Sequence, residues 1–260
     1  MNLSFGVIMS ASSRQQEILR AIRLKGTCAI SEIATSLSVS EETIRRDIKP
    51  MVAKGLVIKT HGKVTMPDDI KEPPFHMRMQ ENMDAKVKVA TAVSRMIEDG
   101  ETVFLHPGST TNYVARALCD HSDLVILTNS AEISRTLVSG EGNEVYMAGG
   151  LLRTDDAASV GPTAIEFIKT FQVKTAVFSI GAVNPNGLMD FRLSEKEFCQ
   201  AVMERSERVI VAVDHTKFER KGIVHISDLG DMDLLVTDRE PPQELQDALK
   251  EAEVETLIAT

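Results

Sequence analysis

Apolar residues near the amino terminus recur at helical spacing three times in succession. Ile18, Leu19 and Ile22 mark a first helix within 14–24, which Gly26 ends. Ile33, Ala34 and Leu37 mark a short second helix with Ser31 as its cap. Val39 lies in a turn, Ser40 caps a third helix, and Ile44, Ile48 and Val52 form its inward stripe. After Gly55, the run L-V-I-K-T-H-G-K-V predicts two short strands around His61-Gly62. Three helices followed by a small hairpin predict a winged helix-turn-helix over 11–66, with the helix-turn-helix at about 28–47.

That pattern leaves a particular chemistry on the outer face. The octad S-E-E-T-I-R-R-D, Ser40 to Asp47, carries Glu42, Thr43, Arg45 and Arg46 on one short helix, and Arg45, Arg46 and the following Lys49 sit away from the apolar stripe. A helix lying in the DNA major groove reaches base edges from its amino-terminal end, and arginine can bond a guanine edge twice. Lys59, His61 and Lys63 make the hairpin tip basic, and with the hydroxyls of Ser31 and Ser40 they suit phosphate contacts that set register. The bland alternatives are a solvated helix face and a winged helix that binds protein.

Residues 67–83 are rich in proline and charge in their first half and read as a linker. From residue 84 to 260 the pattern changes to apolar runs alternating with helical stretches. Strands are predicted at 102–105, 124–128, 144–148, 175–180, 209–213 and 234–237, with helices at 84–98, 110–119, 131–139, 162–171, 194–205 and 242–251. This alternation implies a mostly parallel sheet covered on both faces, so the chain as a whole is an α/β protein with a small helical head. Parallel sheets bind ligands at the carboxyl ends of their strands. Those ends read H-P-G-S-T-T (His106, Gly108, Ser109, Thr110, Thr111), T-N-S (Asn129, Ser130), G-G-L-L-R (Gly149, Gly150, Arg153) and D-H-T-K (Asp214, Lys217). Glycine, hydroxyls and helix amides suit an anion, and arginine pairs with phosphate bidentately. A hydroxyl-bearing helix cap without a ligand is the competing reading of Gly108–Thr111.

Charge sharpens the division. Residues 1–66 carry ten Lys/Arg against five Asp/Glu and the remainder nineteen against thirty-three, so a head of +5 adjoins a body of −14. Only the head is suited to a polyanion. No apolar run is long enough to span a bilayer. The first twelve residues lack the basic start of a secretory signal and read as a ragged tail, with Met9 an alternative start. Three widely spaced cysteines, Cys28, Cys119 and Cys199, show no metal spacing and read as reduced thiols of a cytoplasmic protein; no metal and no cofactor is expected.

Residues 14–64 resemble the winged helix of the DeoR family of bacterial repressors, on V-S-E-E-T-I-R-R-D-I followed by G-L-V-I-K-T-H-G. Lys63 stands where that family has a second glycine. The likeness continues through Phe75, Arg78 and Asn82, then G-S-T-T, T-N-S, G-G-L-L-R, V-G-P and V-D-H-T-K-F, to about residue 240. It implies an effector domain similar to ribose-5-phosphate isomerases that takes phosphorylated sugars or polyols. By the same resemblance Gly108–Thr111 and Lys217 hold phosphate, and Asn129, Ser130, Gly149, Gly150 and Arg153 line the site. L-M-D-F, containing Asp190, together with Glu195, is most similar to the glycerol-3-phosphate repressor branch. This chain departs from the family at His106, often Asp; at Val183-Asn184, often Asp-Gly; and at Cys199-Gln200, usually basic.

The expectation is therefore a DNA-binding regulator, a repressor of carbohydrate or polyol catabolism, acting on double-stranded operator DNA as a homo-oligomer, dimer or tetramer. Two other classes compete. An isomerase carrying a DNA-binding attachment needs a base beside a carbonyl, for which His106, Asp190, Glu195 and Asp214 are candidates, but Val183 removes one family carboxylate. A structural DNA organiser without a ligand leaves the polar strand ends unexplained.

Overall fold

The computed structural model describes residues 11–25, 27–53, 56–65 and 72–260. The amino-terminal tail, Gly26, Lys54, Gly55 and positions 66–71 lie outside the described residues. The chain divides into two compact units, Met1–Lys71 and Glu72–Thr260.

The smaller unit contains α1 (Ala11–Lys25), β1 (Thr27–Ala29), α2 (Ile30–Ser36), α3 (Glu41–Ala53), β2 (Ile58–Thr60) and β3 (Lys63–Thr65). Its core is Ile18, Leu19, Ile22, Ile33, Ala34, Ile44, Ile48, Met51, Val57 and Val64. Three details differ from the sequence expectation. Helix α2 begins at Ile30, so Ser31 sits exposed inside its first turn, and the amide of Ala29 is instead bonded by the Glu32 carboxylate at 3.1 Å. The α3 stripe closes on Met51 rather than Val52, which is 40% exposed. The wing gains a third strand, in the order β1-β3-β2.

The wing turn needs no second glycine. His61 and Gly62 both adopt positive φ, 46° and 79°, as a two-residue hairpin of the I′ kind requires. Lys63 is then the first residue of β3, paired with Thr60.

The larger unit opens with α4 (Phe75–Gln80), which occupies much of the expected linker. Arg78 of this helix is buried, and the Met79 carbonyl accepts from Tyr113 Oη at 2.9 Å, so residues from 72 onward are packed structure. Then follow α5 (Met83–Ser94), β4 (Thr102–Leu105), α6 (Ser109–Ala117), β5 (Val125–Thr128), α7 (Ala131–Leu137) and β6 (Glu144–Met147). A hairpin of β7 (Leu151–Leu152) and β8 (Ser159–Val160) leads to α8 (Pro162–Ile168) and β9 (Val173–Phe178). A second hairpin, β10 (Ala182–Asn184) and β11 (Gly187–Asp190), leads to α9 (Leu193–Met203), β12 (Ser206–Ala212), β13 (Val224–Ser227), β14 (Leu234–Thr237), α10 (Gln243–Glu251) and β15 (Glu255–Ile258).

Seven strands form one sheet in the order β15-β14-β12-β9-β4-β5-β6, and every neighbouring pair is parallel. Parallel strands need crossovers, and these place helices on both faces. Val89, Val114 and Ile133 of α5, α6 and α7 pack in one apolar cluster; Ile168, Phe198 and Leu249 of α8, α9 and α10 pack in the other. Strand order reverses between β4 and β9: β5 and β6 lie to one side, β12, β14 and β15 to the other. A crevice forms at such a switch point, because successive crossovers leave in opposite directions.

Phe104 anchors this junction from below. It is fully buried on β4, with the rings of Phe178 on β9 and Phe198 on α9 at 5.8 and 5.9 Å. Phe104→Ala is expected to cost about 3–5 kcal/mol, read as a lowered urea midpoint; a loss below about 1 kcal/mol contradicts this packing.

Candidate functional site

The outer face of α3 is set by its inner one. Ser40 Oγ accepts from the Thr43 amide at 3.2 Å and caps the helix. Asp47, buried beside Ile44 and Ile48, holds Arg14 of α1 through two bonds, Nε to Oδ2 at 2.5 Å and Nη2 to Oδ1 at 3.2 Å. That charged fork ties α1 to α3 and fixes how α3 is rotated. Glu42, Arg45, Arg46 and Lys49 consequently face solvent, and Thr43 is half-buried against Ser40. Arg45 is engaged by Glu41 at 2.6 Å and Glu42 at 3.9 Å. No ion pair or hydrogen bond of the Arg46 or Lys49 side chain occurs among the described residues. Ser31, Ser40, Lys59, His61 and Lys63 are all exposed.

In the larger unit a cleft opens at the switch point. Its walls include Glu72, Arg78, His106, Arg153, Asp156, Ser179, Asp190, Arg192 and Glu195, whose paired charges fill most of the space between them. His106 and Pro107 follow β4, and Ser179 follows β9. A Cβ on Gly108 would stand 2.6 Å from the Ser179 Cβ, so only glycine allows these two strand ends to close up.

Gly108 caps α6, placing the amides of Ser109, Thr110 and Thr111 at the helix's positive end. Thr111 Oγ1 and Asn112 Nδ2 both donate to the Gly108 carbonyl, at 3.1 and 2.7 Å. Thr110 Oγ1 is buried without a hydrogen-bond partner among the described residues.

Charge in the cleft is nearly balanced. Glu195 bonds both His106 Nε2, at 3.0 Å, and the Arg153 guanidinium. Arg153 also forks onto Asp156 at 3.0 and 2.7 Å. Burial pushes the Asp156 carboxyl up, but Arg153 outweighs it and holds the group below its ordinary value. Arg192 reaches Asp155 and Asp156 at 3.2 and 3.6 Å, and Arg78 reaches Glu72 at 2.9 Å. Asp190 accepts from the amides of Gly181, Phe191 and Arg192. Burial together with Glu72 raises its pKa. His106 is raised despite its burial, through Cys199 and Asp190.

Lys217 and Asp214 form a second charged group. Asp214 is bonded by Thr216 and Asn82, and Lys86 lies 3.8 Å away. Burial raises Asp214, but Lys86 and Lys217 outweigh it and lower the pKa. Lys217 is 3% exposed and is pushed down to about 7, first by burial and then by Arg220. Its charge also acts on Asp190, and it feels Glu72 and Arg78, all of which line the cleft.

The remaining expected residues stand elsewhere. Asn129 uses its amide and backbone to hold Ser159 of β8, and its Oδ1 is buried without a partner. Ser130 caps α7. Gly149 and Gly150 are exposed, and the Val160 carbonyl lies 2.8 Å from where a Cβ of Gly150 would be. None of these four lines the cleft, nor do Gly108–Thr111, Asp214 and Lys217; of the expected residues His106, Arg153, Asp190 and Glu195 do. Sequence reasoning had not placed Asp156, Arg192 and Cys199 in the site, and had noted Arg78 only for its spacing. Cys199 Sγ lies 3.5 Å from His106 Nε2, a contact that no linear spacing reveals.

Because the folded Lys217 pKa lies below its ordinary 10.5, the native state binds fewer protons than the unfolded chain between about pH 7 and that value. Stability from this group therefore rises with pH across the window. Anion binding at Lys217, as the sequence reading expects, would run the other way, since it needs the protonated lysine. Sulfate, whose charge is constant there, is expected to bind about tenfold more weakly per pH unit above 7. Isothermal titration should show this slope in the native chain and lose it in Lys217→Met; the same slope in both contradicts the assignment.

Residues 14–69 match the DeoR-like helix-turn-helix domain, and residues 81–239 match the DeoR C terminal sensor domain. The chain is 32% identical over 251 residues to the HTH-type transcriptional repressor CsqR of Escherichia coli (strain K12), covering 96% of each protein. It is 30% identical over 248 residues to the glycerol-3-phosphate regulon repressor of the same organism, covering 95% of this chain and 98% of that one. A solved D-ribose-5-phosphate isomerase in complex with phospho-erythronic acid is similar to it with a TM-score of 0.40 and 20% identity, over 52% of this chain and 54% of that one. With both halves matched in order and relatives aligned almost end to end, the chain belongs to the DeoR family.

Proposed function

We propose that this chain is a sequence-specific regulator that represses a carbohydrate or polyol catabolic operon and responds to a phosphorylated sugar or polyol. The observation that supports the ligand half is the buried hydroxyl of Thr110, without a partner among the described residues, at the positive start of α6, in the loop whose His106 and Pro107 line a cleft of paired charges. A phosphate suits the amides and hydroxyls of Gly108–Thr111, with Lys217 as countercharge. The polyhydroxy remainder suits the cleft, because arginine and carboxylate side chains offer donors and acceptors to vicinal hydroxyls. Repressor names among relatives support the direction of regulation. In this reading the protein acts as a dimer or tetramer on paired half-sites of double-stranded DNA, since linked heads multiply affinity. In this reading it senses its ligand rather than turning it over, and His106 is engaged by Ser179 and Glu195.

The DNA half rests on the exposed edge of α3 and the wing. Arg46 has no side-chain partner among the described residues, whereas Arg45 must first release Glu41. Arg46→Ala is therefore expected to weaken binding to DNA from upstream of its own operon by about 1–3 kcal/mol, roughly ten- to hundredfold. Arg45→Ala should cost less. Lys59→Ala and Lys63→Ala should each lower the salt slope by about one. Fluorescence anisotropy reads all four; native affinity in both arginine variants would sink the docking of α3.

A further inference from the structure

Beneath the cleft, three electron-rich side chains converge from two elements. His106 follows β4. Glu195 and Cys199 lie four residues apart on α9 and so share one face of it. All three are buried, at 2%, 3% and 0% exposure. One donor atom from each lies within 4.8 Å of the others, and this is the one such mixed group of His, Glu and Cys among the described residues.

We propose that His106 Nε2, a Glu195 carboxylate oxygen and Cys199 Sγ form a three-ligand site for a zinc-type divalent cation, with its open position facing the effector cleft. The proposal deepens the sensor reading by adding a metal to the same site.

The first argument is the ring's own hydrogen bonding. His106 Nδ1 lies 3.0 Å from the Ser179 carbonyl, which can only accept, so Nδ1 carries a proton. Nε2 then faces a carboxylate oxygen at 3.0 Å and a sulfur at 3.5 Å. A proton on Nε2 can point at one of these two; a cation among them satisfies all three donors. Fixing Nδ1–H on a backbone carbonyl is also how proteins orient a metal-binding imidazole.

The second argument is distance. Tetrahedral zinc with ordinary bond lengths separates nitrogen from oxygen by about 3.3 Å and nitrogen from sulfur by about 3.6 Å. The two observed separations each need only a few tenths of an ångström of adjustment. Mixed imidazole, thiolate and carboxylate ligation selects zinc and its neighbours over magnesium or calcium.

The third argument is the surroundings. Arg153 holds Glu195 from the other side and is itself held by Asp156, so the carboxylate is fixed in place. His106 and Glu195 line the cleft while Cys199 does not. A cation there sits in the floor, with its fourth position toward any hydroxyl or phosphate oxygen above. Binding takes the thiolate and the unprotonated Nε2, and the displaced protons pass to solvent.

Cobalt(II) titration of the metal-stripped full chain tests this. One equivalent should produce a near-ultraviolet thiolate-to-cobalt charge-transfer band that zinc(II) abolishes. The band should persist in Cys28→Ser and Cys119→Ser and vanish in Cys199→Ser. X-ray absorption of the zinc-loaded native chain needs no variant at the site; it should show one sulfur at about 2.3 Å and lighter ligands at about 2.0–2.2 Å. No band, a band unchanged in Cys199→Ser, or a zinc shell without sulfur overturns the proposal. Ligand-controlled DNA binding by a chain that shows no such band removes the metal and leaves the sensor reading standing; a band without ligand-controlled DNA binding does the reverse.

Discussion

The reversal of strand order between β4 and β9 is the constraint on which the larger unit depends. A parallel sheet must return its chain through helices, and where the direction of travel reverses, two strand ends are left with no crossover above them. Here those ends carry His106 and Ser179, drawn together because Gly108 has no side chain to hold them apart. Two buried carboxylates are brought to that opening: α9 presents Glu195 there, and the β10–β11 hairpin supplies Asp190.

Burying this much charge is tolerable only because the charges are linked. Arg153 stands between Glu195 and Asp156, and Arg192 and Arg78 share Asp155. An isolated buried ion costs several kcal/mol, and each partner lowers that cost for the next. Such a network holds positions firmly, and buried Lys217 lies in the same field, lowered by burial and Arg220 and raised by Glu72 and Asp214. In the smaller unit a single buried fork, Arg14 with Asp47, plays the organising part by fixing which face of α3 meets solvent.

Much of this was legible in the chain itself. The apolar periods of α1 to α3 and the alternation after residue 84 follow directly from burial on one stripe or on both sheet faces. The Thr102–Leu105 and Leu234–Thr237 strands appear with their predicted ends. Strand β15 escaped because Glu-Thr-Leu-Ile at a sheet edge is largely exposed and carries no apolar run. Helix α4 escaped because neighbouring prolines and charges mimic a solvated linker, although Arg78 is buried by ion pairs. In the site, residues tied to a strand end were readable, since the parallel sheet collects them. Partnerships across long separations were not: His106 with Glu195 and Cys199 spans 89 and 93 positions, and nothing local encodes it. Asn129 and Ser130 also hold β8 and cap α7, a structural part that their position after a strand does not announce.

The central claim is that the cleft and the DNA-binding head are energetically coupled through one chain. The direct measurement is the affinity of the native protein for upstream DNA at fixed salt, titrated with a panel of sugar and polyol phosphates and with their unphosphorylated counterparts. The account predicts that at least one phosphate ester shifts the affinity by a factor of about 5–150, that its unphosphorylated parent does not, and that Lys217→Ala blunts the shift while leaving DNA affinity intact. An equal response to the parent compound, or a full response in Lys217→Ala, would contradict it.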